Sequence, residues 1–386
     1  MKVFIVAGEA SGDRLGAGLM QGLIKEVPGV KFQGVAGPEM QLQGVDSLFD
    51  MSELSVMGLA EILPKYLGLR RRLAQTVDAV LTWQPDVLIT IDSPDFCLRV
   101  AKAVQAIAPL IKTVHYVAPT VWAWRPKRAR KMARFIDQVL ALFPFEPPYM
   151  EAEGIECDFV GHPIAGIPKV SSEQIYDFQM LIGLNPNCPA LVILPGSRRS
   201  EVQRLLPVFC KVLSQTEFAG TQLIFPTLPH LAQLVRDHVK CLRQECFVVT
   251  GAGLTAEAAA TQRFVAFATA QAALAASGTV SLELAATGTP MVIAYNMGLL
   301  SRLIIGAMLR VDTVTLVNLV SDTRDVPEFI GKNCKIELIA PALATILVNP
   351  QTQDYAMQTT MDRLGRGDAA LADRAAKAVL SRLSRD

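Results

Sequence analysis

Short apolar runs alternate with amphipathic stretches along most of this chain. Residues 3–7, 87–91 and 113–117 are runs of apolar or β-prone residues, each short enough for a buried strand. Helical spacing fills 14–26 and 98–107, and Pro28-Gly29 stops the first of these. The second half repeats the style. Runs at 191–194, 223–226, 247–250, 264–268 and Met291–Tyr295 predict strands, while 201–213 and Val280–Thr287 predict helices. Gly288 and Pro290 supply the stop signals for the latter helix. Strands and helices in alternation predict an α/β fold, with parallel sheets covered on both faces. Glycines and prolines cluster at 161–169, so the chain is expected to divide there. The predicted parts are an N-terminal domain over 1–165, a C-terminal domain over 166–350, and a helical tail over 351–386. The tail is expected to pack back on the first domain or on a partner chain. Two Rossmann-like sheets facing across a cleft would bind ligands beyond the carboxyl ends of their strands.

Composition narrows the functions. The 386 residues are 51% hydrophobic and 19% charged, which excludes disorder as the main state. The 37 basic and 36 acidic residues give none of the basic excess of a nucleic-acid binder, so an acidic ligand must be met locally. Seven cysteines, an odd number without any Cys-x-x-Cys pair, indicate reduced thiols rather than a disulfide frame or zinc site. Four scattered histidines offer no metal spacing, and no metal or cofactor is expected. The run at 3–7 is too short for a secretory signal. The uncharged stretch 264–282 reads as a buried strand and loop feeding a helix, although its length raises a membrane helix as the alternative.

Six segments offer chemistry, each with a plainer reading beside it. Gly8-Glu9-Ala10-Ser11-Gly12-Asp13 follows the first strand and lets backbone approach a ligand, or is a tight turn with an N-cap. In Asp92-Ser93-Pro94-Asp95, Asp92 closes a strand and suits a general base, whereas Asp95 suits a helix cap. Gly196-Ser197-Arg198 opens a helix with orphan N–H groups and a forked cation, a phosphate site or an exposed arginine loop. Ser277-Gly278-Thr279 is a second small-residue loop before a helix. Glu283, one turn in, either chelates ribose hydroxyls or merely complements the helix dipole. Two such loops in one domain point to a nucleoside diphosphate. The stretch 115–128 mixes aromatic and basic residues that cradle a sugar or pack the core, and His162 reads as a hinge or packed residue. Finally, 57–72 interleaves Met57, Ile62, Leu63, Tyr66 and Leu69 with Lys65, Arg70 and Arg71. It is a membrane-surface helix or a core-facing one, and Pro64 favours a loop or lid.

Taken in order, these segments resemble the lipid-A-disaccharide synthase family. The likeness is carried by Val6 to Asp13, Gly34-Val35-Ala36-Gly37-Pro38, Val56-Met57-Gly58, Ile91 to Phe96 and His115-Tyr116-Val117. Trp122-Ala123-Trp124-Arg125, Phe143-Pro144-Phe145-Glu146, Gly161-His162-Pro163, Leu194 to Arg198 and Ala276 to Thr279 extend it. The resemblance implies a GT-B fold and an inverting glycosyltransferase of lipid A biosynthesis. It would condense UDP-2,3-diacylglucosamine with 2,3-diacylglucosamine 1-phosphate (lipid X) to the β-1,6 disaccharide phosphate and UDP. It also implies a peripheral protein on the cytoplasmic face of the inner membrane, with 57–72 at the bilayer and a homodimer as a candidate assembly. Carried over by position, Asp92 is the base, Arg198 lies near the diphosphate, Glu283 is the donor-domain acid, Asn318 is a cleft residue, and Glu9 and Ser11 belong to the N-terminal loop. A UDP-sugar epimerase or hydrolase on the same fold is the alternative. A nicotinamide dehydrogenase lacks its Gly-x-Gly-x-x-Gly.

Overall fold

The computed structural model describes residues 1–54, 59–122, 127–296 and 312–383, with backbone alone at 59–66. The chain forms two units. The first joins Met1–Gly166 to Gly367–Asp386, and the second is Ile167–Arg366.

The first unit is built on a six-stranded sheet of β1 (Lys2–Ala7), β2 (Lys31–Val35), β3 (Val87–Ile91), β4 (Lys112–Tyr116), β5 (Gln138–Ala141) and β6 (Glu156–Phe159). Their order is β2-β1-β3-β4-β5-β6, and every pairing is parallel. Residues 3–7 of β1 and all of β3 are buried, because helices cover both faces. The helix Leu371–Leu383 belongs to this cover and lies along Ala10–Glu26. Gly22 makes that approach close, since a Cβ there would overlap the Ala372 carbonyl oxygen. Ala375, Ala376 and Val379 are buried in the contact, Lys25 meets Asp373 at 2.8 Å, and Arg382 meets Asp158 at 3.0 Å.

The second unit repeats the plan with β7 (Ala190–Leu194), β8 (Gln222–Thr227), β9 (Cys246–Thr250), β10 (Ala272–Ala275), β11 (Met291–Tyr295) and β12 (Glu328–Ile330). The order is β12-β11-β10-β7-β8-β9, again all parallel. The first helix of the tail, Asp354–Arg363, stays with this unit, where Arg363 donates to Val320 O at 2.7 Å.

The strand expected at 264–268 is instead the end of the helix Ala256–Thr269. Alanine-rich sequence favours helix, and the Thr255 hydroxyl caps it by accepting from Ala258 N. The neighbouring strand is the all-buried Ala272–Ala275, so 264–282 is divided among helix, strand, loop and helix. Among the described residues, no helix is long and apolar enough to cross a membrane. The loop or lid expected from Pro64 is also corrected, because the helix Leu59–Trp83 runs through it. Good helix formers on both sides of the proline carry the helix past it.

Candidate functional site

Each sheet has one place where successive connections leave in opposite directions. In the first, β1 leads to β2 on one side, and the chain then crosses back to β3 on the other. The loops beyond β1 and β3 therefore diverge around a crevice at the carboxyl ends of these strands. Glu9 and Asp92 are the side chains those loops carry there. Gly8 lies so close to the second loop that a Cβ would strike the Ser93 side chain. Asp92 and Ser93 have φ of 49° and 40°, left-handed conformations that cost non-glycine residues about 1–3 kcal/mol each. Asp92 N donates to Tyr116 O at 2.9 Å, which ties the bend to β4. Burial raises the Asp92 carboxyl above the ordinary range, against the opposing effect of the Ser93 N–H. Glu9 is raised as well, first by partial burial and then by the charge of Asp92.

Most of the other polar residues considered in this unit are bound into the fold. The cap position of Ala10–Glu26 is Glu9, which makes no side-chain cap bond, and Ser11 is an exposed residue of the first turn. Asp13 is buried and accepts from the N–H groups of Gly37, Glu39 and Met40 at 2.8–3.1 Å. Two of the segments that carry the resemblance, Gly8 to Asp13 and Gly34 to Pro38, are thus joined by one carboxylate. Asp95 does not cap its helix. Ser93 holds that position, and Asp95 lies exposed, 3.5 Å from Arg128. His115 is a core residue, its Nδ1 2.9 Å from Thr90 Oγ1 and its pKa driven down to about 3 by burial. His162 accepts from Ile164 N at 3.1 Å and packs on Phe143, with its pKa lowered to about 4 by burial. Glu146 is buried as well, and burial pushes it up to about 8 despite N–H bonds from Leu142 and Phe143.

In the second sheet the connections part at β7 and β10. The loop beyond β7 is Pro195 to Arg198, and the loop beyond β10 is Ala276 to Thr279. They line one cavity of about 490 Å³ that includes Gly196, Ser197, Arg198, Ser277, Gly278, Thr279 and Glu283. The helix Val280–Thr287 opens at this cavity, with Ser281 N and Leu282 N donating to Gly278 O and Thr279 O at 3.3 and 3.0 Å. The loop beyond β7 already holds an anion of its own. Glu201 Oε2 accepts from the N–H groups of Ser197 and Arg198 at 3.2 and 3.3 Å, and Tyr295 donates to Oε1 at 3.3 Å. Gly196, at φ 116°, makes this fold possible, because a Cβ there would strike the Glu201 side chain. The Arg198 guanidinium is 72% exposed and 3.8 Å from Glu201, so it remains mostly free for a ligand.

Glu283 lies mostly buried in the cavity wall. Burial raises its carboxyl, and Arg263, at 3.2 Å, opposes the rise. Arg263 was not anticipated. Asn318 is not among the residues lining the cavity. Its amide donates to Val326 O and Thr313 Oγ1 and accepts from Val326 N, so it braces the segment 313–326.

Of the segment 57–72, Met57 lies outside the described residues, and Ile62, Leu63, Lys65 and Tyr66 fall on the helix Leu59–Trp83. Leu69 is half-buried, whereas Leu67, Arg70 and Arg71 are exposed. Among the described residues, no group of three or more His, Cys, Asp or Glu is placed to hold a metal ion.

Comparison with known proteins adds to this geometry. A sequence profile described as lipid-A-disaccharide synthetase matches residues 3–380. The lipid-A-disaccharide synthase of Ruegeria pomeroyi is 54% identical over 99% of this chain and 96% of its own length. Among solved structures, a putative UDP-N-acetylglucosamine 2-epimerase from Listeria monocytogenes superposes with a TM-score of 0.64 at 15% identity, covering 100% of this chain and 97% of its own. A glycosyltransferase from Rickettsia africae gives 0.58 at 9% identity, covering 100% and 99%. The last two likenesses establish the shared GT-B architecture and nothing more about chemistry.

Proposed function

Given that the chain belongs to the lipid-A-disaccharide synthetase family, we propose that it joins UDP-2,3-diacylglucosamine to 2,3-diacylglucosamine 1-phosphate. Making the lipid A disaccharide by glycosyl transfer is the activity that family membership gives it. The two acylated substrates and the residue roles below are the proposed part. The cavity between the loops after β7 and β10 carries the reading, because Arg198, the Ser277-Gly278-Thr279 turn and Glu283 all line it.

The donor sugar is α-linked to UDP and the product is β-linked, so one inverting displacement suffices. The acceptor 6-hydroxyl attacks the anomeric carbon, the bond from that carbon to the UDP oxygen breaks, and the hydroxyl proton passes to Asp92. A carboxylate raised by burial suits this task, since a general base works best with a pKa near the working pH. Glu9 and Ser11 border the acceptor. The leaving diphosphate gathers negative charge, which Arg198 and the N–H groups around Gly278 and Thr279 stabilise. Gly196 lines the same cavity, and for the Ser197 N–H to contribute, the Glu201 carboxylate must turn aside. Glu283 accepts from the ribose hydroxyls. Leu67, Arg70 and Arg71 present an apolar and basic face suited to an anionic bilayer, which supports peripheral attachment at the inner membrane.

The test is a thin-layer assay of the purified protein with radiolabelled lipid X, the UDP donor and detergent. A disaccharide phosphate from wild type that is lost in Asp92→Asn supports both substrates and base. No disaccharide from folded wild type, across several acyl lengths, would overturn the substrate assignment.

A further inference from the structure

Arg263 is a charged residue of the cavity that no motif announced. It stands on the helix Ala256–Thr269 and donates to Glu283 Oε1 at 3.2 Å. Its guanidinium lies over the Phe264 ring, 5.4 Å from the centroid, which limits its swing. Its Nε is buried and has no partner among the described residues. A carboxylate offers two oxygens with about four acceptor directions. The bond from Arg263 therefore leaves Glu283 capacity for two more donors. Vicinal hydroxyls on a ribose are such a pair of donors.

We propose that Arg263 is a positioning residue of the nucleotide site, fixing the Glu283 carboxylate so that it accepts from both ribose hydroxyls. The Arg263 Nε is then left to donate to a ligand oxygen. This rests on the reading of the cavity as the UDP site. Burial favours the protonated form of Glu283, which would cost it an acceptor, and Arg263 opposes that. Among the described residues, Arg263 is the charged group acting on Glu283. Arg198 and Glu201 line the same cavity from the β7 side, and Arg366 donates to Ala286 O on Glu283's own helix. Without Arg263, Glu283 takes up its proton at higher pH.

The experiment is calorimetric binding of UDP and of 2′-deoxy-UDP to the full-length protein, at mildly acidic and mildly alkaline pH. The variants are Arg263→Met, Arg263→Lys and Glu283→Gln. Wild type is expected to favour UDP by about tenfold, the scale of a hydrogen bond to a charged group. Glu283→Gln and Arg263→Met both lose that preference. In Arg263→Met the loss is deepest at acidic pH and recovers toward alkaline pH, while Arg263→Lys keeps most of the preference. An arginine needed only for folding would weaken both ligands alike and leave the preference for UDP intact at both pH values, and that result overturns the proposal. If Glu283→Gln loses the preference and Arg263→Met retains it, Arg263 has no positioning role and the ribose site stands. If both variants retain it, the ribose reading falls and the role of Arg263 falls with it.

Discussion

The two sheets place their divergent loops alike, yet the residues on those loops have opposite character. Beyond β1 and β3 the chain holds two carboxylates, both raised, on a backbone bent through left-handed residues. Beyond β7 and β10 it offers small residues, helix N-termini and arginine. The first arrangement gathers negative charge and takes up protons. The second attracts an anion. On the proposed reading, one topological device supplies a base in one unit and a leaving-group site in the other, and the difference lies in a few side chains per loop.

The sharpest way to break this division is at Asp92. Asp92→Asn is expected to lower kcat by about 10²–10⁴, the usual contribution of a general base, while calorimetry shows UDP affinity unchanged. A parallel loss of UDP binding would contradict the separation. The same variant should melt at higher temperature near neutral pH. The folded-state pKa of Asp92 is raised, so its ionised form opposes folding above that pKa, and the cost disappears as pH falls through it. Asn also tolerates φ 49°. Arg198→Ala acts in the other unit. It should cost about 10²-fold in kcat/KM and also weaken UDP, as removal of a charge-stabilising donor does. Glu201→Gln removes the internal anion and should tighten UDP about fivefold by calorimetry, the worth of one modest electrostatic contact near a helix end. The smallest effect belongs to Glu9→Gln. The charge of Asp92 adds to the rise at Glu9, and removing one of two like charges eases ionisation of the other. The acid limb of the pH–rate profile should move to lower pH, a gain of roughly twofold on that limb that high salt diminishes.

What the sequence revealed follows from burial. Val87–Ile91 and Met291–Tyr295 are apolar on both faces, and their limits are legible residue by residue. Lys31–Val35 is an edge strand with Lys31 and Gln33 exposed, and Glu328–Ile330 has three residues, so neither carries an apolar signal. The loops beyond these strands were legible because small residues directly after a strand mark a turn where backbone can be approached closely. Arg263 was hidden by the strand expected from 264 onward. Even within a helix, one arginine beside alanines gives no sign that a glutamate twenty residues later will meet it. The hold of Glu201 on its own loop was written in the spacing, since an acid three residues after a helix cap reaches back to the cap N–H. Asn318 shows the converse. Its place in an ordered set of motifs says nothing of whether its amide is spent on ligand or on backbone.

The helix Leu371–Leu383, lying along Ala10–Glu26, has a consequence for synthesis. Residues of the first unit are made at both ends of the chain, whereas the second unit is one continuous stretch. The ribosome finishes Gly166 and must then add the whole of Ile167–Arg366 before the missing helix appears. At about 5–20 residues per second that interval is roughly 10–40 s. Through it, the groove beside Gly22 stays open on a nascent sheet, and the unit begun first is the one completed last.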